Sequence, residues 1–239
     1  MMGKVTFLAL FMMSSTVLTL STTPELLLKD FISDADLNEI ADSASLQITL
    51  SNYLFDQADV NKNGALSFEE FSSVYIQLIS AVFNINIQPQ LASRAFRQFD
   101  FNAPDNAISR NEFTFLFSLN VVFAAKNLDL LRNGGGVGTD KILIAINNLI
   151  AQRDKAFAVA FKTLFDTDAN QSLSVTELTN GLNKVGSIVG INLSFNPIIL
   201  SNAFAYIAGY DQKVDSRELN GFLFALFNYL QGIFTALNQ

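Results

Sequence analysis

Asp59, Asn61, Asn63, Ser67 and Glu70 place oxygen-bearing side chains at positions one, three, five, nine and twelve of a twelve-residue run, Asp59-Val60-Asn61-Lys62-Asn63-Gly64-Ala65-Leu66-Ser67-Phe68-Glu69-Glu70. That spacing fits the pattern D-x-[DN]-x-[DN]-G-x5-E throughout. Its chemistry is the wrapping of a hard cation, which takes six to eight oxygens, none of them from nitrogen or sulfur groups. Asp59, Asn61 and Asn63 offer side-chain oxygens and Ala65 its backbone carbonyl. Ser67 acts directly or through water, and Glu70 closes the ring with two oxygens. Gly64 stands where the chain must bend with positive φ, a bend that a Cβ would penalise.

A second run repeats the arrangement. Asp166-Thr167-Asp168-Ala169-Asn170-Gln171-Ser172-Leu173-Ser174-Val175-Thr176-Glu177 departs only at the glycine position, held by Gln171. A non-glycine in the left-handed region costs about 1–2 kcal/mol. Three acidic groups, Asp166, Asp168 and Glu177, against two in the first run, set more ligand charge against that strain. Asn170, Ser172 and Ser174 complete the set. A third run, Asp100 to Glu112, carries one residue too many around Ala103-Pro104. Asp100, Asn102, Asp105, Ala107 and Glu112 remain as ligand candidates, with Asn106, which tolerates positive φ, in place of the glycine. A fourth, Ile207 to Glu218, keeps Val214, Asp215 and Glu218 but lacks the leading aspartate, so it is expected not to bind.

Apolar residues at helical spacing bracket the first loop: Leu54, Phe55 and Ala58 before it, and Phe71, Val74, Tyr75 and Leu78 after it. Ser67 and Glu70 form a capping box that opens the exiting helix. Leu66 is placed to pair in a short strand with a partner loop, and Ile108 and Val214 hold the same position in theirs. Glu70 to Glu177 spans 107 residues and Glu112 to Glu218 spans 106, so the halves share one period. On these residues the chain resembles the EF-hand calcium-binding family. The resemblance implies an all-α fold of two EF-hand pairs with very short paired loop strands, and Ca2+ as the bound ion. Residues 22–132 form the first expected pair, 133–139 a glycine-rich linker and 140–239 the second pair. Within this frame the first hand's entering helix runs from about Asp36 to Ala58, and one long helix capped by Thr139 or Asp140 reaches Phe165. A short helix is expected from Thr22 or Thr23 to Ile32, and no stretch beyond the loop strands is assigned an extended period.

The amino end reads as a signal peptide over residues 1–21: a basic start at Lys4, an uncharged run from Val5 to Leu20, then the small residues Ser21, Thr22 and Thr23. The chain is therefore expected to be secreted. Loss of Lys4 with the leader takes the formal charge from −7 to −8. With no cysteine, an extracellular chain must be held by its core and its metal. Hydrophobic residues are 50% and charged residues 15% of the chain, which excludes a disordered acidic buffer, and 23 phenylalanines supply the core. Asn192-Leu193-Ser194 is a glycosylation sequon in a linker; Asn170-Gln171-Ser172 is another, but its asparagine is a metal-ligand candidate.

The absence of Cys and His removes thiol nucleophiles, imidazole bases and the usual zinc ligands, so no enzyme is expected. An acidic chain with a pI near 4.5 is not a nucleic-acid binder. Leu219 to Gln239 carries no charge; as an exiting helix it is expected to be buried rather than in contact with a membrane. The reading is a secreted calcium-binding protein in which calcium holds the fold or is buffered at extracellular levels. The alternatives are a calcium-gated sensor for a protein partner, and a carrier of a small apolar ligand in the manner of sarcoplasmic and luciferin-binding relatives.

Overall fold

A computed structural model describes residues 33–83, 89–100, 105–133, 137–208 and 213–238. The expected leader and the helix from Thr22 or Thr23 to Ile32 lie outside the described residues. What is described is almost entirely helical: α1 Asp34–Asp42, α2 Ala44–Ala58, α3 Phe68–Phe83, α4 Pro89–Phe99, α5 Arg110–Lys126, α6 Leu128–Asn133, α7 Val137–Ala151, α8 Arg153–Ala160, α9 Val175–Val189, α10 Pro197–Ile207 and α11 Ser216–Leu237. The strands are two-residue pieces, β1 Ala65–Leu66 and β2 Ile108–Ser109, paired antiparallel with Leu66 opposite Ile108. Leu173 and Val214 make the equivalent bridge between the third and fourth loops. The strand positions read from the sequence are thus the paired ones.

The core is organised around α5. Its sequence is apolar on every face, and from Glu112 to Ala125 every side chain is buried, which is the pattern of a helix surrounded by others. It packs against α1, α2, α3, α4 and α10. The C-terminal helix α11, uncharged from Leu219 onward, is the second organiser, lying on α4, α7 and α8. Aromatic pairs join the two halves of the chain: Phe99–Tyr229 at 5.1 Å, Phe115–Phe222 at 6.0 Å and Phe123–Phe234 at 5.8 Å between ring centroids. Inside this seam the Tyr75 hydroxyl donates to that of Tyr229 at 2.8 Å, and Tyr229 donates to Asn120 Oδ1. Burial pushes the ionisation of both tyrosines well above the ordinary range, so both stay neutral hydroxyls. No helix among the described residues is long and apolar enough to cross a membrane.

Two helices expected as continuous are broken. The helix expected from about Asp36 to Ala58 splits at Ser43, whose extended backbone ends α1 while its hydroxyl caps α2. The buried Gln47 holds the break by donating to the carbonyls of Ile40, which also takes the Ser43 N–H, and Ala41, acceptors near the helix end. The long helix before the third loop breaks at Gln152 and then widens into a π turn over Phe161–Phe165. Thr139 does not cap it either. The helix starts at Val137, and the Thr139 hydroxyl donates to Asn238 Oδ1, tying α7 to the end of α11.

As expected, no strand lies outside the loops among the described residues, but one non-helical segment alternates as a strand would. Residues 191–195, Ile-Asn-Leu-Ser-Phe, run without helix and alternate in burial: Ile191, Leu193 and Phe195 point in, Asn192 and Ser194 out. The Asn127 side chain pairs with this segment as a strand would, donating to the Asn192 carbonyl at 3.0 Å and accepting from its N–H at 2.8 Å.

Candidate metal centres

The first loop is shaped by its own oxygens. Asp59 closes α2 and accepts from the N–H groups of Asn63 at 3.1 Å and Gly64 at 2.9 Å. Asn61 Oδ1 accepts from Asn63, and Asn63 Oδ1 from Ala65. These bonds curl the chain into a tight loop. Gly64 has φ +84°, as its position requires, and Lys62 also adopts positive φ at +56°. From the far end Glu70 reaches back across the loop. Its Oε2 accepts from the Ser67 N–H at 2.9 Å, and its Oε1 from Val60 N–H and Asn61 Nδ2, both at 3.1 Å. The Ser67 N–H, joined by its hydroxyl and the Asn61 and Val60 N–H groups, lowers the Glu70 carboxyl below its usual range against a smaller opposing effect of burial.

The third loop has the same plan with more charge. Asp166 is 7% exposed, and its Oδ2 accepts from Gln171 N–H at 3.1 Å. Its other oxygen, Oδ1, is buried and accepts no hydrogen bond. Gln171 takes φ +66° and Ala169 +58°, so the residue in the glycine position does adopt the strained conformation. One carboxylate oxygen from each of Asp166, Asp168 and Glu177 lies within 4.8 Å of the others. Glu177 Oε1 accepts from the N–H and hydroxyl of Thr167, ten residues away, and Oε2 from the N–H and hydroxyl of Ser174. Burial opposes ionisation of this carboxyl, but the four donors outweigh it and hold it at about 2. Asn170 turns its amide to Asp168 Oδ2 and its oxygen to Ser172 N–H, both at 2.8 Å.

Two elements set the position of Asp166. The π turn places it directly after Phe165, with its N–H bonded to Phe161 O at 2.8 Å. On the facing helix, Gly181 lets the Phe165 ring sit where any side chain would collide: a Cβ there would lie 2.1 Å from Phe165 Cδ1. Neither Thr167 nor Gly181 is marked by the ligand spacing. Gly181 shows in the sequence only as a glycine inside a helical pattern, which signals close packing.

The second loop is partly described. Asn102 lies outside the described residues. Asn106 does adopt positive φ, +60°, in the glycine's place, and its N–H donates to Asp100 Oδ2. Asp100 Oδ1 is buried without a hydrogen bond. Burial, followed by the nearby Glu112 and Asp105 carboxylates, raises the Asp100 carboxyl above its usual range. Asp105 Oδ1 accepts from Ala107, and Glu112 from the Ser109 N–H and hydroxyl. In the fourth loop Asp215 and Glu218 form a capping box at the start of α11. The same serine- or aspartate-to-glutamate box opens the exiting helix of every loop.

No protein-family model, curated protein or solved structure matches the chain. Chemically, the first and third loops present anionic and amide oxygens without nitrogen or sulfur ligands, a donor set for hard cations.

Proposed function

We propose that the chain is a secreted EF-hand protein that binds calcium at Asp59, Asn61, Asn63, Ala65, Ser67 and Glu70, and at Asp166, Asp168, Asn170, Ser172, Ser174 and Glu177. The observation that carries this reading is the Asp166 carboxylate, buried with one oxygen free of hydrogen bonds beside two further carboxylates. A buried carboxylate oxygen without a partner is costly, and the Asp168 and Glu177 carboxylates within 4.8 Å of it add repulsion. A divalent cation bound at 2.3–2.6 Å from each oxygen turns that repulsion into attraction. Calcium fits better than magnesium: the loops mix carboxylate, amide and backbone oxygens, whereas magnesium demands a near-ideal octahedron at about 2.0–2.1 Å and keeps most of its water.

In the first loop neutral Asn61 and Asn63 replace carboxylates, so its affinity belongs with the weak extracellular modules, roughly 0.1–1 mM. At that strength calcium holds the fold or is buffered rather than reporting transients. The degenerate second and fourth loops supply the strand partners for Leu66 and Leu173. The protein acts by binding, not by catalysis. Calorimetric titration of the purified chain with calcium, repeated on Glu70→Gln and Glu177→Gln, tests this. Two binding events, one lost in each variant, are expected. No heat, together with a melting temperature indifferent to calcium, would sink the reading.

A further inference from the structure

We propose that Asn192 carries an N-linked oligosaccharide; the proposal rests on the reading of the chain as secreted. The sequon Asn192-Leu193-Ser194 lies in the extended segment between α9 and α10, after the left-handed Gly190 that ends α9. Its backbone alternation decides which groups are available. Ile191, Leu193 and Phe195 are 5%, 1% and 5% exposed and anchor the segment, while Asn192 and Ser194 both face solvent on the outer edge. The two residues that a glycosyl transfer reads are therefore presented together, and the residue between them is locked in the core. Asn192 Oδ1 accepts from the Ser194 N–H at 2.9 Å, which leaves the Nδ2 amide turned outward. Asn127 grips only the backbone of Asn192, through its N–H and carbonyl, so substitution at Nδ2 disturbs no contact that holds the segment.

The other sequon fails on the same criteria. Asn170 Nδ2 is engaged with Asp168 Oδ2 at 2.8 Å, and the residue after it, Gln171, is left-handed at φ +66°. A glycan there would also remove a proposed metal ligand. The flanks of the Asn192 segment give a glycan a use: Ile188 and Ile198, 67% and 58% exposed, are apolar surface that a hydrated oligosaccharide beside them would shade.

In the reaction, Nδ2 attacks C1 of a polyprenyl-pyrophosphate-linked oligosaccharide. The N–C1 bond forms, the C1–O bond breaks, and the electron pair leaves on the pyrophosphate. The amide proton is lost to the transferase, and nothing is oxidised or reduced.

The full chain is expressed in a eukaryotic secretory host and recovered from the medium. The expected result is a mass excess that a peptide N-glycanase removes, leaving aspartate at position 192 in the peptide map. Asn192→Gln should reach the medium without the excess and with its calcium titration unchanged; Asn170→Gln should retain the excess. Exported protein with an intact, unmodified Asn192 overturns the proposal, as does an excess lost in Asn170→Gln but kept in Asn192→Gln. If the chain stays in the cell, the secretion reading falls. The same chain behind a heterologous leader then decides separately: modified at Asn192 upholds the acceptor site, and exported but unmodified overturns it.

Discussion

Gly181→Ala exposes how the third loop is built. On propensity alone the change helps, since alanine in a helix interior is favoured over glycine by about 1 kcal/mol. The new Cβ, however, would lie 2.1, 2.3 and 2.5 Å from Phe165 Cδ1, Cε1 and Cγ, where carbon atoms sit comfortably at about 3.5–4.0 Å. The ring or the helix must retreat by roughly 1.5 Å in a core packed as densely as an organic crystal. Phe165 is fully buried, so no easy rotamer accepts it. Overpacking of this kind costs about 1–3 kcal/mol, and so large an overlap belongs at the upper end. The net loss is then about 2 kcal/mol, or a fall in Tm of about 4–8 °C at 2–4 °C per kcal/mol for a chain of this size. Because Asp166 follows Phe165 directly, calcium affinity at the third loop should fall while the first loop is untouched. Differential scanning calorimetry and calcium titration read both effects. Phe165→Leu made in the Gly181→Ala background should lose less stability than the two single changes added together. An unchanged or raised Tm for Gly181→Ala would refute the argument, because propensity would have outweighed the clash.

Tyr229→Phe strands both the Tyr75 hydroxyl and Asn120 Oδ1 and should cost about 1–3 kcal/mol; Tyr75→Phe leaves Tyr229 bonded to Asn120 and should cost less, an order that urea denaturation checks. Gln171→Gly removes a left-handed non-glycine and, after the extra chain entropy of glycine, should stabilise the calcium-free protein by up to about 1 kcal/mol; a measured loss would show that the turn is unstrained. Glu177 is held at about 2 when folded against an ordinary 4.5. A lowered carboxyl contributes stability above its unfolded value and loses it as pH falls through the folded one. Calcium-free protein should therefore weaken between about pH 4.5 and 2, and Glu177→Gln should flatten that decline in a pH series of melting curves. With no histidine in the chain, calcium affinity should stay level from about pH 6 to 8; a steep loss across that window would count against the carboxylate ligand set.

The helical class, the short paired strands and the loop bends were all readable, because each rests on local chemistry. Leu66, Ile108, Leu173 and Val214 pair as their loop positions require. Gly64, Asn106 and Gln171 take positive φ at the glycine position. What was not readable depends on contacts across the chain. The break at Ser43 is fixed by Gln47 folding back on the preceding helix, and propensity alone carries the helix through. The π turn before Asp166 and its partner Gly181 lie 20 residues or less apart in sequence, yet only packing relates them. The alternation of Ile191 to Phe195 was present in the letters, but the partner that holds it extended is a single side chain, Asn127, not a strand.

The aromatic seam has a consequence for the continuity of the chain itself. Residues 134–136 connect two halves that Phe99–Tyr229, Phe115–Phe222 and Phe123–Phe234 already hold together. Gly232 presses so closely on Leu91 that a Cβ would stand 2.6 Å from its Cδ1. The peptide link between the halves is then dispensable once they have met. A single cut there should leave one particle that elutes at its original size, and two separately produced fragments should find each other and assemble. Neither half should persist alone, because each would expose to water the phenylalanine face that the other covers.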